Sequence, residues 1–545
     1  MGHETYANRF GLRPIALGRR GMVATANPLA TQAGVRMLAR GGNAVDAIVA
    51  AAAAIGVVEP YMSGLAGCGV LMLTPPGGIP RVLNFLGRAP EGATPAALLD
   101  QRDVGPRSVA VPGNLAGWAR VLADHGTVSL AEALEPAIEL GEQGIPMTVF
   151  DRQMFDESHT RLNREGARVY LRDGRPPDIG ARIAQPDLAA TFRKIARHGI
   201  GVVYEGEIAE AIARDLAAGG GLITVRDLKA YPATLEWTEP LATTYRGVRV
   251  FAPAPPSSAI QILLTLDAMA GWELGTLEHL GPDHLVVIAE ASRAARMDTD
   301  RYVGDPAFVS VPVERLISRA HVEELQAEMR VRLARLGGPA ARPRSVAAPA
   351  AATASTTHLA ACDSSGVAVN ITHSLGSGFG SGVVVPGTGV ALNNALHWTS
   401  TAEGHPNRVQ SGKRHEWPVA PLHLFRDGRF WATVGTPGSY GILVTTVQVL
   451  SNLIDFGLNV QDAIGAPRFR WADETADPLP AETLRMESRV PESTRDGLAR
   501  RGYAVELLGA WSMRVGGVQA VMHDAGTGWL MGAADPRRNG YAVGW

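Results

Sequence analysis

A helix-patterned first part and a strand-patterned last part predict an α+β protein, and three observations carry that reading. From about residue 113 to 330, apolar positions recur mainly at helical spacing. After residue 356, short apolar runs are separated by turn dipeptides such as Ser365-Gly366 and Asp427-Gly428. Between the two, 331–354 shifts to an Arg-bearing, Ala/Pro-rich composition that cannot bury enough apolar surface to order itself. At 545 residues the chain exceeds what one ordinary core organises. The two parts are therefore separate domains, or two halves of one layered sandwich whose sheets both complete.

Taken in order, Gly21–Ala26 reads as a strand, and Asn27-Pro28 supplies an N-cap and first-turn proline for a helix ending at Gly41-Gly42. A second helix starts near Asn43, carries the alanine run 47–58 and ends at Glu59-Pro60. The glycines of Ser63–Gly69 precede a strand, Val70–Leu73, and lack a trailing Lys-Ser/Thr, so close backbone packing is a better reading than a phosphate loop. Val82–Phe85 is the partner strand. Helices follow at Leu115–Ala123, Leu130–Leu140, Leu188–Ala196, Ile208–Leu216 and His284–Met297, interrupted by strands at Leu241–Tyr245 and Val248–Phe251. Beyond Thr356, strands are expected at Leu359–Ala361, Val367–Thr372, Val383–Val385, Val390–Leu392, Leu422–Phe425, Trp431–Val434, Val518–His523 and Trp529–Ala533, with one helix at Ile442–Phe456.

Bulk properties narrow the function. A formal net charge of −2 gives no electrostatic reason to expect nucleic acid or an anionic membrane as partner. The apolar run 47–58 is bracketed by Asp46 and Glu59 and is too short to span a bilayer. Residues 1–10 show no basic region followed by an apolar one, so the expected location is cytoplasmic. Cys68 and Cys362 read as buried thiols. Neither metal spacing nor a dinucleotide fingerprint occurs, and no cofactor is expected.

Thr356 stands where the Ala/Pro-rich segment stops. A mid-chain threonine hydroxyl is a poor nucleophile, but cleavage of the bond before it would free an α-amine able to act as its general base. Read from these residues alone, Thr356 is better taken as part of an ordinary Ser/Thr cluster that ends a linker and enters a strand.

The wider chain resembles the γ-glutamyltranspeptidases, within the N-terminal-nucleophile hydrolase superfamily. The likeness rests on Gly41–Asp46, Val57–Gly64, Val111–Gly113, Tyr204–Ile208, Pro255–Ser258, Thr356–His358, Phe379–Gly382, Pro386–Gly389, Leu392–Asn394, Gly465–Phe469 and Asp535–Arg537, all in the family's order. The resemblance implies a four-layer αββα sandwich made as a precursor and cut between Ser355 and Thr356. Residues 1–355 would form the large chain, with 331–355 a flexible linker, and 356–545 the small catalytic chain; the two would interleave as one core. A homo-oligomer of the processed pair is left open.

The resemblance also implies roles. Thr356 would be the nucleophile, with Ser374 orienting its amine and Gly438 and Ser439 offering backbone amides to the oxyanion. Thr357 and Thr372 are further hydroxyls expected nearby, and His358 is expected to be structural. The positions where the family binds the charged ends of a γ-glutamyl group read here as Leu86, Gly376, Ala395, Trp398 and Trp417-Pro418. Loss of one buried arginine–carboxylate fork costs roughly 2–5 kcal/mol of binding. A pocket of Leu86, His397, Trp398, Trp417 and Tyr440 points instead to an apolar or aromatic acyl group, or to a compact acid held by Arg88 and His397. The expected function is a self-processing amidohydrolase or acyltransferase acting on a small amide that is not γ-glutamyl. A true transpeptidase with a rebuilt pocket, and an uncleaved homologue that only binds, are the rivals.

Overall fold

Two seven-stranded antiparallel sheets face each other, with helices over both outer sides, in the computed structural model, which describes residues 13–98, 103–336, 354–471 and 482–545. The first sheet runs Tyr541–Gly544, Gly21–Thr25, Ala354–Asp363, Ala368–Ser377, Cys68–Thr74, Arg81–Phe85, Trp237–Thr238. The second runs Ala16–Gly18, Leu530–Ala534, Gln519–His523, Arg429–Gly435, Leu422–Arg426, Val248–Ala252, Leu241–Tyr245. Both sheets draw strands from either side of residue 356. This is the αββα sandwich, and it excludes two separate domains.

Side-chain alternation explains why the central strands read as continuous apolar runs. Val23, Leu71, Leu73, Leu359, Ala361, Val369 and Ile371 pack under the helices, while Met22, Ala24, Cys68, Val70, Met72, Ala360 and Cys362 pack between the sheets. A strand buried on both faces has no polar side to show. Helix Ala44–Val58, buried along its whole length, lies on the first sheet, and its small side chains let Pro28–Ala39 and Leu130–Gln143 pack on it as well. Its start is set by a capping box between Asn43 and Asp46. Helices Ile260–Met269, Pro282–Tyr302 and Gly441–Ile454 cover the second sheet. Cys68 and Cys362 are buried free thiols. No helix among the described residues is long and apolar enough to cross a membrane.

The linker expected at 331–355 is shorter at both ends. Residues 331–335 finish the helix Arg319–Arg335, whose stop comes only after Arg335. Ala354 and Ser355 already pair with Ser377 and Gly376, so the strand begins before Thr356 and not after it. The rest of the expected linker, 337–353, lies outside the described residues.

Candidate active site

Thr356 sits within the strand Ala354–Asp363, at the one break in its ladder with Ala368–Ser377. Ser355 faces Gly376 but Thr357 faces His373, so Ser374 and Leu375 together oppose Thr356. The bulge turns Leu375 away, and its amide donates to Met62 O. Ser374 remains directed at Thr356. Close approach here needs glycine on the neighbouring strand side, since a Cβ at Gly67 would lie 2.4 Å from Ser374 O.

The hydroxyls converge on the bond between Ser355 and Thr356. Thr356 Oγ1 lies 2.6 Å from Ser355 O and 3.2 Å from Ser374 Oγ. Ser374 Oγ also donates to Ser355 O and accepts from the Gly376 amide at 2.8 Å. All of this is buried; Thr356 is 3% exposed. Two hydroxyls polarise one peptide carbonyl in a site that excludes water, where such hydrogen bonds act strongly. On the other side, Arg538 Nη1 donates to Thr356 O at 2.9 Å, and buried Glu59 faces the same guanidinium, its carboxyl pushed up to about 8 by burial.

The expected oxyanion donors lie in the turn between Arg429–Gly435 and helix Gly441–Ile454. Gly435 packs against the His358 ring, two residues from Thr356. At the turn's far end, Tyr440 meets Trp398 at a ring separation of 6.1 Å. Gly438 and Ser439 both hold positive φ, 137° and 57°. Among the described residues, neither of their amides donates a hydrogen bond. The turn thus runs between His358 and Trp398, with the Gly438 and Ser439 amides donating no hydrogen bond among the described residues.

The aromatic residues do come together. Trp398 lies 6.3 Å from Trp417 and 5.6 Å from His397, ring to ring, and Leu86, Ala395 and Trp417 share one buried cluster against which Trp398 packs. Gly376 links this wall to the bond before Thr356. It has φ +105°, and a Cβ there would meet Asn394 Oδ1 at 2.0 Å and Trp398 Nε1 at 3.2 Å. Arg88 is turned elsewhere: its Nε donates to Thr234 Oγ1 at 3.2 Å and its Nη1 to Gly412 O at 3.0 Å, so it clasps the 412–414 segment. Burial, followed by the neighbouring Arg414, lowers its pKa. His358 Nδ1 bonds Thr372 Oγ1 at 2.8 Å, so the two side chains are committed to each other.

Several site residues had no signal in the sequence. Asp103 binds Arg161 through paired hydrogen bonds and, with Asn394, frames the segment after Gly376. Burial pushes the Asp103 carboxyl up, but Arg161, His397 and Ser377 outweigh it and hold it below the usual range. Glu416 is buried beside Trp417 and accepts the Tyr440 hydroxyl at 2.6 Å. Each is brought in by tertiary contact from a stretch without a motif; only Asn394, in Leu392-Asn-Asn394, belonged to a recognisable block.

Comparison with known proteins identifies the family. The family profile described as gamma-glutamyltranspeptidase matches residues 30–545. The chain is 36% identical over 549 residues to the acylase ACY 1 proenzyme of Pseudomonas sp. (strain SE83), covering 97% of this chain and 94% of that protein. It is 32% identical to the glutathione hydrolase proenzyme of Escherichia coli (strain K12), over 95% and 90% of the two chains. The crystal structure of cephalosporin acylase from Bacillus halodurans superposes with a TM-score of 0.87 at 31% identity, over 98% and 97% of the two chains. With the sandwich, the ordered blocks and these full-length matches in hand, the chain belongs to the gamma-glutamyltranspeptidase family of N-terminal-nucleophile amide hydrolases and acyltransferases.

Proposed function

We propose that the chain cleaves itself between Ser355 and Thr356 and then uses Thr356 to hydrolyse small amides whose acyl group is not γ-glutamyl. The observation that carries this is the Thr356 hydroxyl on the Ser355 carbonyl, 2.6 Å away and shared with Ser374. In processing, Thr356 Oγ1 attacks the Ser355 carbonyl carbon, the C–N bond breaks, and the hydroxyl proton passes to the departing nitrogen. Water then hydrolyses the ester, leaving a Ser355 carboxylate and a free Thr356 amine.

In turnover, that amine takes the Thr356 hydroxyl proton, directly or through water, as the oxygen attacks the substrate carbonyl. The Gly438 and Ser439 amides stabilise the oxyanion. The leaving amine departs with the proton, and water releases the acyl group as its acid and restores Thr356. For the substrate, the support is the wall of Leu86, Trp398, Trp417 and Tyr440 and the commitment of Arg88 to Thr234 and Gly412, which leave little to grip an α-carboxylate. Full-length likeness to a cephalosporin acylase and to the ACY 1 acylase points the same way.

Denaturing electrophoresis tests the chemistry: wild type should give two chains, residues 1–355 and 356–545, and Thr356→Ala one. A single band for both proteins overturns it. A panel of acyl amides tests the substrate, where turnover of γ-glutamyl-p-nitroanilide above that of aliphatic and aromatic acyl anilides would sink the non-γ-glutamyl reading.

A further inference from the structure

Arg538 is a buried cation that makes no ion pair among the described residues. It is 3% exposed, and its Nη1 donates to Thr356 O at 2.9 Å. Packing fixes that aim. A Cβ on Gly517 would lie 2.6 Å from Arg538 Cδ, Met62 Sδ is 3.6 Å from Nη1, and the Phe150 ring is 5.9 Å from the guanidinium carbon. The acids nearby are occupied elsewhere or stand apart: Asp535 is held by Arg468 and Arg537, Asp151 takes the hydroxyls of Tyr61 and Thr148, and neither oxygen of fully buried Glu59 has a hydrogen-bond partner among the described residues. A buried charge without a paired counter-charge is costly. A fold that keeps one against the main chain of Thr356 calls for an electrostatic role there.

Resting on the proposed self-cleavage, we infer that Arg538 is a positioning residue that acts through Thr356: by holding its carbonyl, it keeps a positive charge beside the freed α-amine and so keeps that amine neutral and able to take the hydroxyl proton. The nitrogen and oxygen of one residue are three bonds apart, which puts the guanidinium within about 7 Å of the amine. An α-amine ordinarily titrates near ~7.7–8.0 and would be largely protonated, and useless as a base, at neutral pH. A like charge at this range in a buried site disfavours the ammonium by roughly one unit. Burial lowers the Arg538 pKa, opposed by Glu59, Tyr61 and Asp535, but a guanidinium stays charged throughout the working range. The other groups around Thr356 leave this charge in place. Ser374, on the partner strand, is neutral, and burial pushes His373 and His358 down to about 3. Burial pushes the Glu59 carboxyl up to about 8, Arg538 opposing and Asp151 adding, so it is mostly protonated where the amine titrates. Tyr61 is pushed up first by burial and then by Asp151. Arg470, on Gly438 O and Arg514 O, is a second cation on the side of the turn, and Asp103 behind Gly376 is paired with Arg161.

Competitive labelling with acetic anhydride, which reacts only with neutral amines, titrates the Thr356 amine without any substrate, the labelled N-terminal peptide of the small chain being read by mass spectrometry. Wild type, Arg538→Gln and Arg538→Lys are compared. A variant that does not cut itself is made by co-expressing residues 1–355 with residues 356–545 behind an initiating Met, which is removed before threonine. Relative to its own rate at pH 9, wild type at pH 6 should label about tenfold faster than Arg538→Gln, the size of a one-unit shift, and Arg538→Lys should stay near wild type. Burial of the amine would lower all three midpoints alike, so only the separation between Gln and Lys counts. Arg538→Gln with the wild-type midpoint, or Arg538→Lys moving as far as Arg538→Gln, overturns the inference. An uncut wild type on the gel sinks the self-cleavage reading instead, which the labelling of co-expressed chains does not touch.

Discussion

At the scale of single residues, the decisive contacts are those on Ser355 O. Thr356 is positioned by covalent geometry, but its neighbour Ser374 reaches the same carbonyl from another strand and is itself held by the Gly376 amide. Ser374→Ala removes one donor from the carbonyl that becomes an oxyanion in the proposed self-cleavage. Removal of one such donor costs roughly 10²–10³ in rate, so the variant should accumulate as full-length chain over a time in which wild type is fully cut, read by timed denaturing gels. Processing at the wild-type rate would deny Ser374 that role. That Thr356 and Ser374 lie together was expected from the family resemblance, and the structure shows them 3.2 Å apart. Glu416 was not expected, since a lone glutamate before a tryptophan has no pattern until Tyr440 arrives from 24 residues away.

At the scale of elements, the bulge between Ala354–Asp363 and Ala368–Ser377 is the device that brings hydroxyls to the bond between Ser355 and Thr356. A regular ladder would place one residue opposite Thr356; the extra residue lets Ser374 stay on the site while Leu375 leaves it. Gly376 is the hinge of this arrangement because L side chains rarely adopt its φ of +105° and because Asn394 Oδ1 occupies the space of a Cβ. Gly376→Ala should therefore destabilise the precursor by about 2 kcal/mol or more and slow processing, measured as a lower thermal midpoint and a persistent full-length band. An unchanged midpoint would mean that the turn relaxes without strain. The central strands and several long helices, Ala44–Val58 and Pro282–Tyr302 among them, were legible from periodicity and caps, whereas Ile260–Met269 and Arg319–Arg335 were not. The bulge was not, because it is a mismatch of register between two strands, and neither strand carries that information alone.

At the scale of the whole molecule, the two sheets bury three histidines between or against them. His358 bonds Thr372, His373 meets Ser63 and Asn114, and His423 bonds Thr74 at 2.6 Å. Burial pushes all three down to about 3 from an ordinary 6.5. The unfolded chain therefore binds protons that the folded one refuses. Their contribution is complete above pH 6.5 and is lost progressively as pH falls toward 3. Denaturant midpoints should fall steeply between pH 6 and 4, and His423→Gln should remove about one proton from that dependence. A slope that His423→Gln leaves unaltered would show that His423 is protonated in the native sandwich.

What the sequence determined by itself was the class of fold and, through its ordered blocks, the family. Apolar periodicity encodes helices and strands locally, and the blocks recur along the whole chain. Only the tertiary structure decided that the bond before Thr356 lies inside a strand, that Arg88 is committed to Thr234 and Gly412, and that Glu416 closes an aromatic wall. The reason is physical: register, burial and hydrogen-bond partnership are properties of pairs of segments distant in the chain, and they exist only once those segments are packed together.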